Sequence, residues 1–417
     1  MKKGLLMTSA LVAAGTLAIA DDAWAQKAAN PVSLRVGGYM EQTIGFSFGR
    51  RDNLEQTGIA ANTPGAYGAP NGTFDQQTEA EIHFIGDGRL DNGLVIRAVI
   101  ELEVTGSPGN MIDEQFLILR NGYGQVILGN EDPAASLMTT GYISNLVTGV
   151  GQSIVFDLTD FINAPAGWTG GSPILGTQRD VRLEKWDGDA SKIIYITPRF
   201  FGLQFGASYA PEGTQDLQNG AGAIAGNSPP TKEIYSDQWS AGINYEIKFD
   251  QVAIGLAAGY VTAKSAGVGV GANGFRLDKD PEMWAWGGRI IWGGLTALAG
   301  YNKMTHLVAG TGIGAPGGAG TAAKHGDAWN VGVRYRWGPN AVSFGFTHGE
   351  ETGLYANPGN DELNSAIASY ARTLAPGISW RANVVYADFD NEANLPGAIT
   401  QQDYDELALT TSFRLDW

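Results

Sequence analysis

The chain contains no cysteine, which excludes disulfide bonds and thiolate metal sites as stabilisers. Charge is sparse, at 17% of 417 residues, and positive charge is the scarcer sign: 27 Lys and Arg against 43 Asp and Glu give a formal net charge of -16. That balance repels phosphate backbones and argues against nucleic acid as a partner. The four histidines, His83, His306, His325 and His348, are dispersed with no metal-ligand spacing, so no metal site is expected. No cofactor-binding motif stands out either. Long hydrophobic runs are missing except at the N-terminus, so a membrane form of this chain would not cross as helices.

What is abundant is glycine, with 59 residues, in a chain rich in alternating strand patterns. The first 25 residues stand apart. "MKKGLLMTSALVAAGTLAIADDAWAQ" carries Lys2 and Lys3, an apolar run from Leu5 to Ala20, and small residues at Ala23 and Ala25. This is the pattern of a secretory signal peptide cleaved between Ala25 and Gln26, and the apolar run is shorter than the ~20 residues a spanning helix needs. Residues 26–417 are expected to fold as one domain.

Successive strand side chains point to opposite faces. "VSLRVGGYMEQTIGFSF" places Val32, Leu34, Val36, Met40, Ile44, Phe46 and Phe48 opposite Arg35, Tyr39, Glu41 and Thr43. "QWSAGINYEIKF" sets Trp239, Ile243 and Phe249 against Asn244, Glu246 and Lys248, and "AWNVGVRYRW" sets Trp329, Val331 and Trp337 against Asn330, Arg334 and Arg336. "ELALTTSFRLDW" sets Leu407, Leu409, Phe413, Leu415 and Trp417 against Glu406, Thr410, Ser412 and Arg414. Two features exceed a soluble sandwich. The polar face carries full charges in strand after strand, and the apolar face begins and ends on aromatics. Lipid-facing strands of ~9–11 residues with interfacial aromatic girdles and a wet interior have this character.

Short turns alternate with long loops. The short ones are Asp87–Gly93, Gly122–Gly124, Phe201–Gly202, Phe249–Asp250, Gly293–Gly294, Gly338–Asn340 and Ala375–Gly377. Long Gly-, Pro- and Asn-rich segments fall at 50–73, 130–190, 211–234, 264–281, 305–326, 350–362 and 388–403. Seven hairpins and a strand at each end make sixteen strands. The expected fold is an all-β transmembrane antiparallel barrel, closed by pairing of the last strand with the first because lipid leaves no partner for an open edge.

With these elements the chain resembles the general trimeric porins of Gram-negative, proteobacterial outer membranes, of the sixteen-strand type. "DEQFLILRNGYGQVILGNED" (113–132) looks like the hairpin leading into that family's inward-folded third loop. "SKIIYITPRFFGLQFGASYAPEG" (191–213) looks like the hairpin that follows it, and "LALTTSFRLDW" like the final strand with its aromatic terminus. The terminal residue is Trp where the family has Phe, a Pro-Glu-Phe-Gly element is missing from the loop, and Ile194 stands where the family carries an inward arginine. The resemblance implies passive diffusion of ions and small hydrophilic solutes, a homotrimer, contact with outer-membrane lipid and lipopolysaccharide, and delivery by the barrel-insertion machinery. It casts Phe413 and Trp417 as the assembly signal.

A pore needs a constriction and charges that set its field, not a catalytic group. The roughly sixty residues between Gly129 and Asp189 are several times an ordinary loop, and such segments are commonly functional. The candidate acidic liners of this third loop are Glu131, Asp132, Asp157 and Asp160. The candidate basic wall residues are Arg35, Arg97, Arg381 and Arg414, on inward faces of strands 1, 3, 15 and 16. Acids of the outer loops, Glu350, Glu351, Asp361 and Glu362, give a weak cation preference.

Other motifs carry less. "GVGANG" (269–274) fits a dinucleotide fingerprint but has no helix after it. "DGRLDN" (87–92) puts Arg89 at a calcium-ligand position within a short turn. Competing function classes are a substrate-selective outer-membrane channel, a barrel hydrolase needing a Ser–His pair, for which only the outward His348 is available, a soluble β-protein, and a receptor with an N-terminal plug. The last is disfavoured because strand 1 starts within ten residues of the cleavage site.

Overall fold

The computed structural model describes residues 28–51, 74–104, 112–144, 161, 181–183, 190–212, 235–265, 280–308, 323–352, 360–391 and 404–417. Residues 1–27, with the expected signal peptide, lie outside them.

The described chain is a closed ring of sixteen strands, each antiparallel to its sequence neighbours. The first eight are β1 (Ala28–Arg51), β2 (Asp75–Leu90), β3 (Val95–Glu103), β4 (Ile112–Asn121), β5 (Gly124–Asn130), β6 (Ser191–Ile196), β7 (Leu203–Glu212) and β8 (Tyr235–Phe249). The second eight are β9 (Val252–Ser265), β10 (Glu282–Trp292), β11 (Leu295–Val308), β12 (Ala323–Trp337), β13 (Asn340–Thr352), β14 (Asn360–Ala375), β15 (Ile378–Asn391) and β16 (Tyr404–Asp416). One helix, α1 (Ala134–Ile143), follows β5. All seven expected short turns join strands at one end of the ring. The opposite end carries eight connections, one more than expected, because β3 and β4 are joined by the brief segment 104–111. The β13–β14 connection is tighter than read from sequence: Glu350 and Glu362 sit opposite each other as strand partners, not in a loop.

Closure is made by β1 and β16, in register from Tyr39 opposite Asp416 to Arg51 opposite Tyr404. The seam runs one step further, where the Trp417 N–H donates to the Gly38 carbonyl at 3.1 Å. Every strand thus finds partners on both sides, as lipid requires.

The side-chain distribution is inverted relative to a soluble protein. Val32, Leu34, Phe48, Trp239, Phe249, Trp284, Trp286, Trp292, Phe413 and Trp417 are exposed on the outside. Asn244, Asn302, Asn330, Thr347, Ser365 and Ser412 are buried on the inside. An apolar belt of this extent would associate indiscriminately in water, whereas in a bilayer it meets a solvent of its own kind. No described helix is long and apolar enough to cross a membrane; this chain crosses with strands.

The third connection, between β5 and β6, folds inward. α1 lies against β7, β8, β9 and β10, on the inner wall. Glycines on that wall make the seat. A Cβ at Gly242 would stand 2.6 Å from Met138 Cβ, one at Gly255 2.7 Å from the Tyr142 ring, and one at Gly259 2.5 Å from Leu183. Tyr142, Ile143, Val181 and Leu183 join Val261, Met283 and Met304 in an apolar cluster inside the barrel.

Candidate pore constriction

α1 has no side-chain cap of its own at its N-terminus. The wall supplies one. The Ala134 N–H donates to Ser208 Oγ of β7 at 3.0 Å, and the Ala135 N–H to Ser240 Oγ of β8 at 2.7 Å. These bonds satisfy two of the four N–H groups that a helix leaves open. Asn244 of β8 donates to the Met138 carbonyl at 3.1 Å. At the other end Arg289 of β10 donates to the Gly141 carbonyl and lies over the Tyr142 ring, 4.6 Å from its centre. A cation there complements the negative end of the helix dipole. Arg289 also pairs with Glu246 at 2.9 Å, and Arg199 bonds the Tyr142 hydroxyl.

The loop's other described parts extend this placement. Phe161 rests on the far wall: a Cβ at Gly45 of β1 would lie 2.4 Å from its ring and 3.0 Å from Thr410 of β16. β9, under α1, stands half-way round the ring from β1. Leu183, after Phe161 in sequence, is back against Gly259 of β9.

Of the four candidate acids, Glu131 and Asp132 occupy the loop's entry. Glu131 is buried; its Oε2 accepts the Asp132 N–H at 2.5 Å, and its carbonyl accepts from Lys192 of β6. Asp132 Oδ2 accepts from Ser136 at 3.2 Å, inside the first turn of α1. Burial pushes the Glu131 carboxyl up to about 8, so its neutral form is favoured at this anchor. Asp157 and Asp160 lie outside the described residues.

The four candidate arginines sort into two pairs, each bridged by a wall carboxylate. Asp87 of β2 binds Arg35 and Arg97, both at 2.7 Å. Glu41 of β1, 5% exposed, binds Arg381 at 2.6 Å and approaches Arg414 at 3.7 Å; Ser412 also donates to it, at 2.5 Å. Arg414 continues to Asp416 at 2.8 Å and covers the Tyr39 ring at 3.6 Å. The Tyr39 hydroxyl lies within hydrogen-bond distance of two carboxylates, Glu79 at 2.7 Å and Glu81 at 2.8 Å. Ile194, where the resemblance placed an arginine, is fully buried beside α1 with Met138.

Sequence reasoning singled out the arginines as wall residues but not Asp87, Glu41, Tyr39, Glu79, Glu81 or Arg289. The signal was available for some of them. Asp87 sits opposite Arg97 in the first hairpin, so counting back from its turn would have paired the two. Glu41 and Arg414 are matched only by the closing register of β1 and β16.

The fold has known counterparts. The anion-selective porin from Comamonas acidovorans superposes with a TM-score of 0.58 at 14% identity, covering 93% of this chain and all of that one. OmpT of Vibrio cholerae gives 0.54 at 12% identity over 94% and 100%. Salmonella typhi OmpF, solved with daunomycin, gives 0.51 at 15% identity over 91% and 97%. Comparison with curated proteins gave no match. The Gram-negative porin family pattern matches residues 8–394, nearly the whole chain, and the protein belongs to that family: it is an outer-membrane porin, a channel-forming barrel.

Proposed function

We propose that the pore is a passive route for ions and small hydrophilic solutes, narrowed by the third loop. The observation that carries this reading is the pair of anchors on opposite walls. α1 is docked against β7–β10 and Phe161 is seated on β1 and β16, on opposite walls of the closed ring. A sixteen-strand barrel otherwise leaves a wide aqueous channel. Asp160 immediately precedes the Phe161 ring on the β1 wall, which favours Asp157 and Asp160 as lumen charges facing the Glu41–Arg381–Arg414 group. Glu131 and Asp132 act as anchors of the loop.

The segment 1–25 serves as the export signal, and 26–417 is the mature barrel in contact with lipid and lipopolysaccharide. Phe413 and Trp417, both outward aromatics beside the closing seam, serve the insertion machinery as a recognition feature. The homotrimer is the proposed assembly; OmpT of Vibrio cholerae, a relative by fold, is known in a trimer form.

Planar-bilayer recording of the purified protein is the test. Stepwise ohmic conductance, with liposomes that swell in small sugars, is expected. Absence of both would overturn the diffusion reading, and saturation by one solute at low concentration would replace it with a substrate-selective channel.

A further inference from the structure

The Glu79–Tyr39–Glu81 chain ends in a group that the channel reading does not use. Glu81 and His83 are two residues apart on β2, so they share its inward face. Glu101 of β3 is the direct cross-strand partner of His83. His83 Nε2 stands 2.8 Å from Glu81 Oε2 and 3.7 Å from Glu101 Oε2. Ligand atoms of all three lie within 4.8 Å of one another. The three side chains are each 16–18% exposed, enough for water to reach them from the lumen. On the other flank His83 faces Gly37 of β1, with the Tyr39 hydroxyl 2.8 Å from Glu81.

We propose that Glu81, His83 and Glu101 form a binding site for a divalent transition-metal cation of the zinc type on the inner wall. One imidazole and two carboxylates suit such ions, which favour mixed N/O donor sets, whereas Mg²⁺ and Ca²⁺ favour oxygen alone. Around a tetrahedral zinc with bonds of ~2.0–2.2 Å, ligand atoms stand roughly 3.3–3.6 Å apart. The observed 2.8 and 3.7 Å bracket that spacing. A small opening of the Glu81–His83 contact, with loss of its shared proton, admits the ion. Two adjacent strands of a closed sheet hold the three ligands, so little backbone ordering is required on binding. The fourth position, toward the lumen, is left for water or a passing anion. A bound dication would also offset carboxylates of this wall and move ion selectivity toward anions.

The test is calorimetric titration of Zn²⁺ into the folded full-length mature barrel in detergent, alongside His83→Ala and Glu101→Gln. Folding of each variant is checked by circular dichroism. One Zn²⁺ per chain is expected, with affinity at least tenfold weaker in both variants and Ca²⁺ unable to compete at equal concentration. Co²⁺ should give a visible spectrum with nitrogen ligation that His83→Ala abolishes. No Zn²⁺ binding, binding unchanged by His83→Ala, or equal competition by Ca²⁺ would each overturn the proposal. If a variant fails to fold, the Co²⁺ spectrum and Ca²⁺ competition of the unmodified protein still decide it. Binding is read independently of conductance, so failure here leaves the channel reading untouched, and the reverse.

Discussion

Glu41 pairs with two arginines at once and is itself 5% exposed, so removing its carboxylate leaves Arg381 without its 2.6 Å partner on a wall of limited hydration. Hydrogen bonds to charged groups contribute roughly 1.5–3 kcal/mol, and Glu41→Ala should lower barrel stability by about that amount in urea unfolding. Glu131 behaves in the opposite sense. Its carboxyl is raised from 4.5 to about 8 by burial, so the folded state holds a proton that the unfolded chain releases. The resulting stabilisation is complete below pH 4.5 and is lost as pH rises through about 8. Glu131→Gln, which keeps the shape and drops the charge, should flatten that dependence and leave the variant the more stable of the two at pH 9. Thermal unfolding across pH 4–9 measures it; identical slopes in both proteins would contradict it. Neither role was visible in the sequence. Strand alternation assigns a residue to a face, but partners such as Glu41 and Arg381 are 340 positions apart and meet only once the ring closes.

The hairpins were legible and the helix was not, for a physical reason that α1 makes plain. A turn such as Gly293–Gly294 or Gly338–Pro339 is written locally, because the glycine there takes the positive φ that the reversal needs. The stretch "AASLMTTGYI" has no capping side chain of its own, and what holds it helical comes from Ser208, Ser240, Asn244 and Arg289 on three other strands. The seat is also remote: Gly242 and Gly259 read as ordinary strand glycines until Met138 and Leu183 are placed upon them. Gly242→Leu should therefore leave the barrel assembled but lift α1 from the wall, changing unit conductance and raising open-channel noise in bilayer recordings. Ser208→Ala with Ser240→Ala removes both caps, at about 1 kcal/mol each, and should give the same phenotype in milder form. Unaltered conductance in Gly242→Leu would dissociate α1 from the constriction.

Across the whole barrel the inward charges separate by sector. Glu41, Glu79, Glu81, Asp87, Glu101 and Glu103 line β1–β3, whereas Arg334 and Arg336 stand on β12 and Arg289, paired with Glu246, on β10 toward the opposite side. The sequence placed Arg35, Arg97, Arg381 and Arg414 on the first side as its basic element. The structure pairs them there with Asp87, Glu41 and Asp416, on a wall that also carries Glu79, Glu81, Glu101 and Glu103. A transverse field then runs from the β10–β12 wall toward β1–β3, so neither ion sign is strongly excluded. The formal charge of -16 should tip the balance weakly toward cations. Acids near the outer rim, such as Glu350 and Glu362, are screened by salt within ~8–10 Å, whereas acids on a loop in the narrow lumen act where field lines are focused. The reversal potential should accordingly show weak cation preference at low salt that fades as salt rises. Asp157→Asn with Asp160→Asn should shift it toward anions at all salt concentrations, and Glu350→Gln only at low salt. An unchanged reversal potential in the double variant would remove those two residues from the constriction. Strong anion preference in the unmodified protein would mean that the β10–β12 arginines, not the net acidity, set the field.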